Sequence, residues 1–307
     1  MSVRADPRAE MAAAIARLKA ERKAVILAHN YQLPEVQDIG DFVGDSLELS
    51  RKATEVEAEV IVFCGVLFMA ETAKILNPSR IVLIPDPTAG CPMCDMAPAA
   101  QVRQRKEELP GVPVVAYVNT TAEVKAEADI CCTSANAVKI VNSLPEPRVL
   151  FLPDRNLGQW VQRHTDKEVI LWPGFCPTHQ RILASQIRKL KDQHPEAVVI
   201  VHPECTPDVI GLADEVLSTG QMMRWARQTE AREIIVGTER GIIHRLEQES
   251  PGKTFLPVTQ LTICPNMKKI TLEKVQWALE DMSFPVEVPE DIAARARRAI
   301  TRMLEVA

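Results

Sequence analysis

Several features are missing from this 307-residue sequence, and each absence narrows the field. No apolar stretch reaches the roughly 18 residues that a membrane-spanning helix needs, so none is expected. No long run carries charge of one sign, and the formal net charge is only −5. Nucleic acid and anionic membrane surfaces are therefore not expected as partners, although a local basic pocket stays open. Neither GxGxxG nor GxxxxGK[ST] occurs, which leaves a nucleotide cofactor without support. The opening segment MSVRADPRAEMAAAIARLKAERKA lacks the apolar core and cleavage site of a secretory signal, so a soluble, cytoplasmic chain is expected. Tyrosine is scarce, with Tyr31 and Tyr117 the only two. What is present is ordinary globular composition, 46% hydrophobic and 25% charged, and enough length for about two domains of the usual size.

Eight cysteines in such a chain point toward metal or redox chemistry rather than disulfides. Cys64 closes the apolar run Val60-Ile61-Val62-Phe63 and Cys131 follows Ile130, so both read as small core residues. Cys91, Cys176 and Cys264 differ, because each lies in a proline-adjacent loop: AGCP, GFCP and TICP.

Short apolar runs alternate with helical patterns throughout, the mark of an α/β protein with parallel sheets. Strands are expected over 24–30, 59–65, 80–86, 113–119, 128–134, 148–154, 168–174, 197–204, 214–220, 233–239 and 254–260. His29, Tyr117 and His202 each close one of these runs, at nearly equal intervals along the chain. A hydroxyl follows each at one constant offset: Ser46, Ser134 and Thr219, all at the start of a helical pattern. Phe63, Phe151 and Val236 fall at matching strand ends, and Cys91, Cys176 and Cys264 follow the first members at a nearly constant distance. The chain thus reads as a triplicated unit of about 85 residues. The expected boundaries are 24–110, 111–195 and 196–270, flanked by an N-terminal helix over 1–23 and helices over 271–307.

In open α/β units, chemistry gathers at the carboxyl ends of the strands. Three such units around a pseudo-three-fold axis would aim those ends, and the three loop cysteines, at one central cavity. Three thiolates suit a [4Fe–4S] cluster with one iron lacking a protein ligand, a zinc site, or no metal at all. An unligated iron could act as a Lewis acid that assists dehydration. The same cavity would gather His29-Asn30-Tyr31, Asp45-Ser46, Tyr117-Val118-Asn119, Ser134, His179, His202-Pro203-Glu204 and Thr219. Helix-start hydroxyls and N–H groups suit phosphate or carboxylate, but Ser46, Ser134 and Thr219 could equally be plain helix caps. His29, His202 and Glu204 have the chemistry of acid–base groups, whereas His164, His194 and His244 sit in polar contexts and read as surface residues.

The sequence resembles the quinolinate synthase family, iron–sulfur enzymes of NAD biosynthesis. The resemblance runs from about Ala24 to about Lys269. It rests on HNYQLPEVQDIGDFVGDSLELSR, AGCPM, YVNTTAEVKAEAD, FLPDRNLG, GFCPTH, HPEC, STG, GTERG and CPNMK, in that order. It implies three similar αβα domains around a central cluster, and condensation of iminosuccinate with dihydroxyacetone phosphate to quinolinate with release of phosphate and water. It places the cluster ligands on Cys91, Cys176 and Cys264. It places dicarboxylate binding on His29, Ser46, Tyr117, Val118, Asn119, Ser134, His202, Pro203, Glu204 and Thr219. Tyr31 and His179 match further active-site positions, so Tyr31, Tyr117, His179, His202 and Glu204 form the implied catalytic set. Transient contact with an aspartate-oxidising enzyme, the source of iminosuccinate, is a further implication. Cys94 departs from the family pattern by forming C-x-x-C with Cys91, and the C-terminal C-x-x-C-x-x-C of some members is absent. A [4Fe–4S] hydro-lyase acting on another small polycarboxylate is the alternative enzyme, and a metal or electron carrier the alternative outside catalysis.

Overall fold

Apolar, β-branched runs too short for a helix and bounded by turn residues become strands when both faces can be covered. The computed structural model describes residues 6–306, so Met1–Ala5 and Ala307, at the ends of the two expected helical flanks, lie outside the described residues. The strands are β1 (Ala24–His29), β2 (Phe42–Gly44), β3 (Val60–Cys64), β4 (Ile81–Leu83), β5 (Val114–Tyr117) and β6 (Ile130–Cys132). They continue with β7 (Arg148–Leu152), β8 (Glu168–Leu171), β9 (Val198–Val201), β10 (Glu215–Val216), β11 (Glu233–Gly237) and β12 (Thr254–Pro257). They form three four-stranded sheets with one order: β2-β1-β3-β4, β6-β5-β7-β8 and β10-β9-β11-β12. Every pairing between these strands is parallel. The architecture is α/β with three similar αβα units.

The repetition extends to strand register. Ala28 pairs with Cys64, Ala116 with Leu152 and Val201 with Gly237, the same separation along the chain each time. A side-chain device recurs as well. Asp41, Asp129 and Asp214 lie at one offset past His29, Tyr117 and His202. Each accepts the backbone N–H of the central strand, from Ile26 at 2.7 Å, Val114 at 2.8 Å and Val199 at 2.7 Å. Their own N–H groups return a bond to the carbonyls of the same three residues. The aspartate thus continues the ladder past the end of a short edge strand. Among the described residues, β2 is the one strand that sequence periodicity misses. Its three residues carry no alternation to detect, and this backbone exchange with β1 defines it.

The chain falls into two compact units, one running through Gly90 and adding Pro265–Val288, the other Cys91–Cys264 with Pro289 onward. In the first, the helix Pro7–Arg22 packs on the helix Leu272–Asp281. There Arg22 donates to the carbonyls of Leu279 and Glu280, a cation placed at the negative end of a helix. The second unit holds the β5–β8 and β9–β12 sheets. Its last helix, Glu290–Val306, packs against the helix Ala122–Glu127 and β6, with Arg295 paired to Glu127 at 3.2 Å.

Candidate active site

The strand order makes the first and third strands of each sheet neighbours, with connections leaving to opposite sides. That switch point is where an open α/β sheet offers a crevice at its carboxyl edge. His29 and Tyr117 close β1 and β5, and His202 directly follows β9. A shared turn fixes the two histidines. His29 Nδ1 accepts from the Tyr31 N–H at 3.1 Å, and His202 Nδ1 accepts from the Glu204 N–H at 3.3 Å. With Nδ1 turned to a backbone N–H, Nε2 is the ring nitrogen left to meet other groups. For His202 that nitrogen meets Ser134 Oγ at 3.1 Å.

In the first unit, His29 and Tyr31 are buried, with their rings edge-on at 4.7 Å. Ser46 opens the helix Ser46–Glu55, but Asp45 caps it through the N–H groups of Leu47 and Glu48. Thr219 likewise opens the helix Thr219–Gln228 while Ser218 caps it, and Asn136 precedes the helix that follows Ser134. The three register-matched hydroxyls are therefore not the caps. A neighbour takes that position in each case.

In the second unit, six of the expected residues join one network in the interior. Glu204 is its hub. Its Oε1 accepts the Tyr117 hydroxyl at 2.6 Å, and its Oε2 lies 2.7 Å from His179 Nδ1 and 3.9 Å from His202 Nδ1. The two imidazoles stack at 4.6 Å, 20° from parallel. His179 Nδ1 lies 3.2 Å from Cys176 Sγ, and its Nε2 meets Thr238 Oγ1 at 2.8 Å. Asn156 anchors the Glu204 carbonyl at 2.9 Å. Burial alone would raise the Glu204 pKa, but His179, His202 and the Tyr117 hydroxyl outweigh it and hold the carboxyl well below its usual range. Asn119 Oδ1, close behind Tyr117 in the chain, is buried without a hydrogen-bond partner. Val118 and Pro203 are buried beside these groups in sequence and contribute shape rather than polar atoms.

The eight cysteines divide into two environments. Cys64, Cys94, Cys131, Cys132 and Cys205 are buried, whereas Cys91, Cys176 and Cys264 are half-buried. Desolvation pushes the Cys131 thiol up to about 12 and raises Cys64 and Cys205 further, the state of inert core cysteines. The Cys91 thiol is lowered, first by a hydrogen bond from the Cys94 side chain and then by the N–H groups of Cys94 and Met93. Cys176 is raised by burial and by the nearby charges of Glu204, Cys91 and Asp154, repulsions that a bound cation would reverse. Cys176, His179 and Glu204 offer ligand atoms within 4.8 Å of one another, so this group could hold a metal ion.

The three cysteine loops share one tether. Leu67, Arg155 and Arg240, all at the same offset past the first register residue, donate their N–H to the carbonyl two places before the cysteine. The acceptors are Ala89 at 2.8 Å, Gly174 at 2.9 Å and Thr262 at 2.9 Å. At Gly174 a Cβ would sit 2.4 Å from the Pro153 carbonyl oxygen, so this loop needs glycine to lie against its strand end.

A sequence profile of the family described as Quinolinate synthetase A protein matches residues 13–305. The chain belongs to the quinolinate synthase family. A quinolinate synthase of Dehalococcoides mccartyi is 60% identical over 292 residues, which are 95% of this chain and 97% of that protein. One from Thermodesulfovibrio yellowstonii is 54% identical over 94% of this chain and 95% of its own length. Quinolinate synthase 1 of Methanosarcina acetivorans is 51% identical over 97% and 98%. Small-molecule chemistry is thus the business of this family member, and no described helix is long and apolar enough to cross a membrane. Sequence reading did not single out Asn156, Asp154, Thr238 or Glu239. The last two sit in GTERG and Asp154 in FLPDRNLG. The register that selects Tyr117 and His202 also places Asp154 and Glu239 at one common offset beyond them.

Proposed function

We propose that the chain is a quinolinate synthase that condenses iminosuccinate with dihydroxyacetone phosphate, releasing phosphate and water. The observation that carries this reading is the buried Tyr117–Glu204–His179 relay beside Cys176. Cys91, Cys176 and Cys264 would hold a [4Fe–4S] cluster, for which three soft thiolates in half-buried, identically tethered loops are a fitting donor set. When bound, such a cluster supplies a Lewis-acidic iron for the dehydration chemistry.

The protein groups do the rest. Glu204, kept ionised, accepts a proton at Oε1 or Oε2, and Tyr117 and His179 exchange protons with it across bonds of 2.6 and 2.7 Å. His202 presents Nε2, and with Ser134 and the amide of Asn119 it would orient the substrate carboxylates. Thr219 and the N-terminus of its helix suit the triose phosphate. His29, Tyr31 and Ser46, taken within the first unit alone, carry the same donor chemistry and are proposed as carboxylate-binding groups there. An imine hydrolyses in water, which favours delivery of iminosuccinate by transient contact with an aspartate-oxidising enzyme.

The test is anaerobic reconstitution followed by product analysis. About 4 iron and 4 sulfide per chain are expected, as a single cubane requires, together with quinolinate formed from the two substrates. Stoichiometric zinc without sulfide in protein purified anaerobically would overturn the cluster assignment. A dehydrated polycarboxylate in place of quinolinate would overturn the substrate assignment.

A further inference from the structure

The three repeats treat their cysteines alike in one respect and differently in another. The backbone tether recurs in all three. The residue just before each tether donor does not: Val66 in the first repeat, Asp154 in the second and Glu239 in the third. Asp154 and Glu239 are both fully buried. Asp154 Oδ2 accepts the N–H of Cys176 at 3.0 Å, and its Oδ1 accepts the N–H of Leu157 at 2.7 Å, in the helix it caps. Glu239 Oε1 accepts the N–H of Cys264 at 3.2 Å, and its Oε2 accepts the N–H of Gly241 at 2.7 Å, at the start of the next helix. Each buried acid side chain therefore spans from a cysteine N–H to a helix start, with each of its two oxygens accepting one N–H.

We propose that Asp154 and Glu239 are positioning residues that lock the Cys176 and Cys264 loops in the conformation that receives the cluster. The proposal rests on the cluster reading above. Two consequences distinguish this role from general stabilisation. The locked N–H belongs to the ligand itself, so loss of the acid frees the backbone N–H of the metal-binding cysteine. That N–H is also withheld from the cluster sulfurs, and hydrogen bonds to those sulfurs are among the factors that set the potential. Replacement by the isosteric amide is a sharp probe, because the amide nitrogen turns a donor toward an N–H that already donates.

The experiment compares the parent with Asp154→Asn and Glu239→Gln in three measurements. Amide hydrogen exchange on metal-free protein should show protection lost over the Cys176 segment in the first variant and over the Cys264 segment in the second. The Cys91 segment should be unchanged in both. Iron release from reconstituted protein to a ferrous chelator should accelerate about 10- to 100-fold, the usual cost of removing an outer partner of a metal ligand. The cluster potential should shift from the parent value. Exchange and iron release matching the parent within about twofold would overturn the proposal. So would failure of both variants to fold, which would make the acids determinants of the fold rather than of the loops. A parent that takes up no iron and sulfide refutes the cluster reading separately, and loop exchange in metal-free protein still decides whether the acids hold the loops.

Discussion

Glu204 shows how a single residue can be both buried and charged. Its neighbours supply two imidazoles and a phenol, and these outweigh the desolvation that burial imposes. Glu204→Gln and Tyr117→Phe should each leave iron and sulfide content intact and lower quinolinate formation about 10²- to 10⁴-fold, the usual contribution of a positioned proton-transfer group. Turnover assays alongside metal analysis check this. His244→Ala, half-buried and bonded to Gln248 rather than to the network, should stay within about threefold. The depressed carboxyl also has a signature in stability. Its pKa is lower folded than unfolded, so its stabilisation is present above the unfolded value of about 4.3 and is lost as pH falls through the lower folded value. Melts of the metal-free protein across that acid range should show a flatter pH dependence in Glu204→Gln than in the parent. Tyr117, His202 and Glu204 were legible in the sequence from strand-end position and register. Thr238 and Asn156 were not, because each meets its partner across a sequence separation of 59 or 48 residues and neither is distinctive by type.

Elements carry the next layer. Short edge strands such as β2 and β10 survive because Asp41, Asp129 and Asp214 satisfy the N–H groups of the central strand beyond them. Asp129→Ala would strand the buried N–H of Val114 and should cost about 1–3 kcal/mol, measurable by denaturant unfolding of the metal-free protein. The cysteine loops set a second expectation. Cys91→Ser, Cys176→Ser and Cys264→Ser should each lose the intact cluster and activity, read by iron and sulfide content. Cys94→Ser should retain both, since Cys94 is buried and turns its thiol to Cys91 as a hydrogen-bond donor. Retention of the cluster in Cys91→Ser with loss in Cys94→Ser would move the first loop's ligand from Cys91 to Cys94. The loop context AGCP, GFCP and TICP made these three cysteines stand out. The carbonyl tether behind each of them was invisible, because a backbone bond leaves no residue-type signature.

At the scale of the molecule, three sheets of identical order and strand register show that one α/β pattern was used three times. Their central strands are buried nearly throughout, as parallel sheets with helices on both faces require. The last helix completes such a cover in the second unit. Ile300, fully buried on it, should cost about 2–5 kcal/mol when replaced by alanine. Unfolding of the metal-free protein checks that figure.

The sequence alone determined the class of fold, the triplication and the frame of strand-end, helix-start and loop residues. Those depend on periodicity and spacing, which are properties of the chain read locally. Only the tertiary structure decided which groups are partners: that Glu204 joins Tyr117 to His179, that neighbours of Ser46, Ser134 and Thr219 take the cap positions, and that two repeats lock a cysteine N–H with a buried acid while the first does not. Partnership is a matter of distance between residues far apart in the chain, and a buried carboxylate acquires its role only from the donors that folding brings to it.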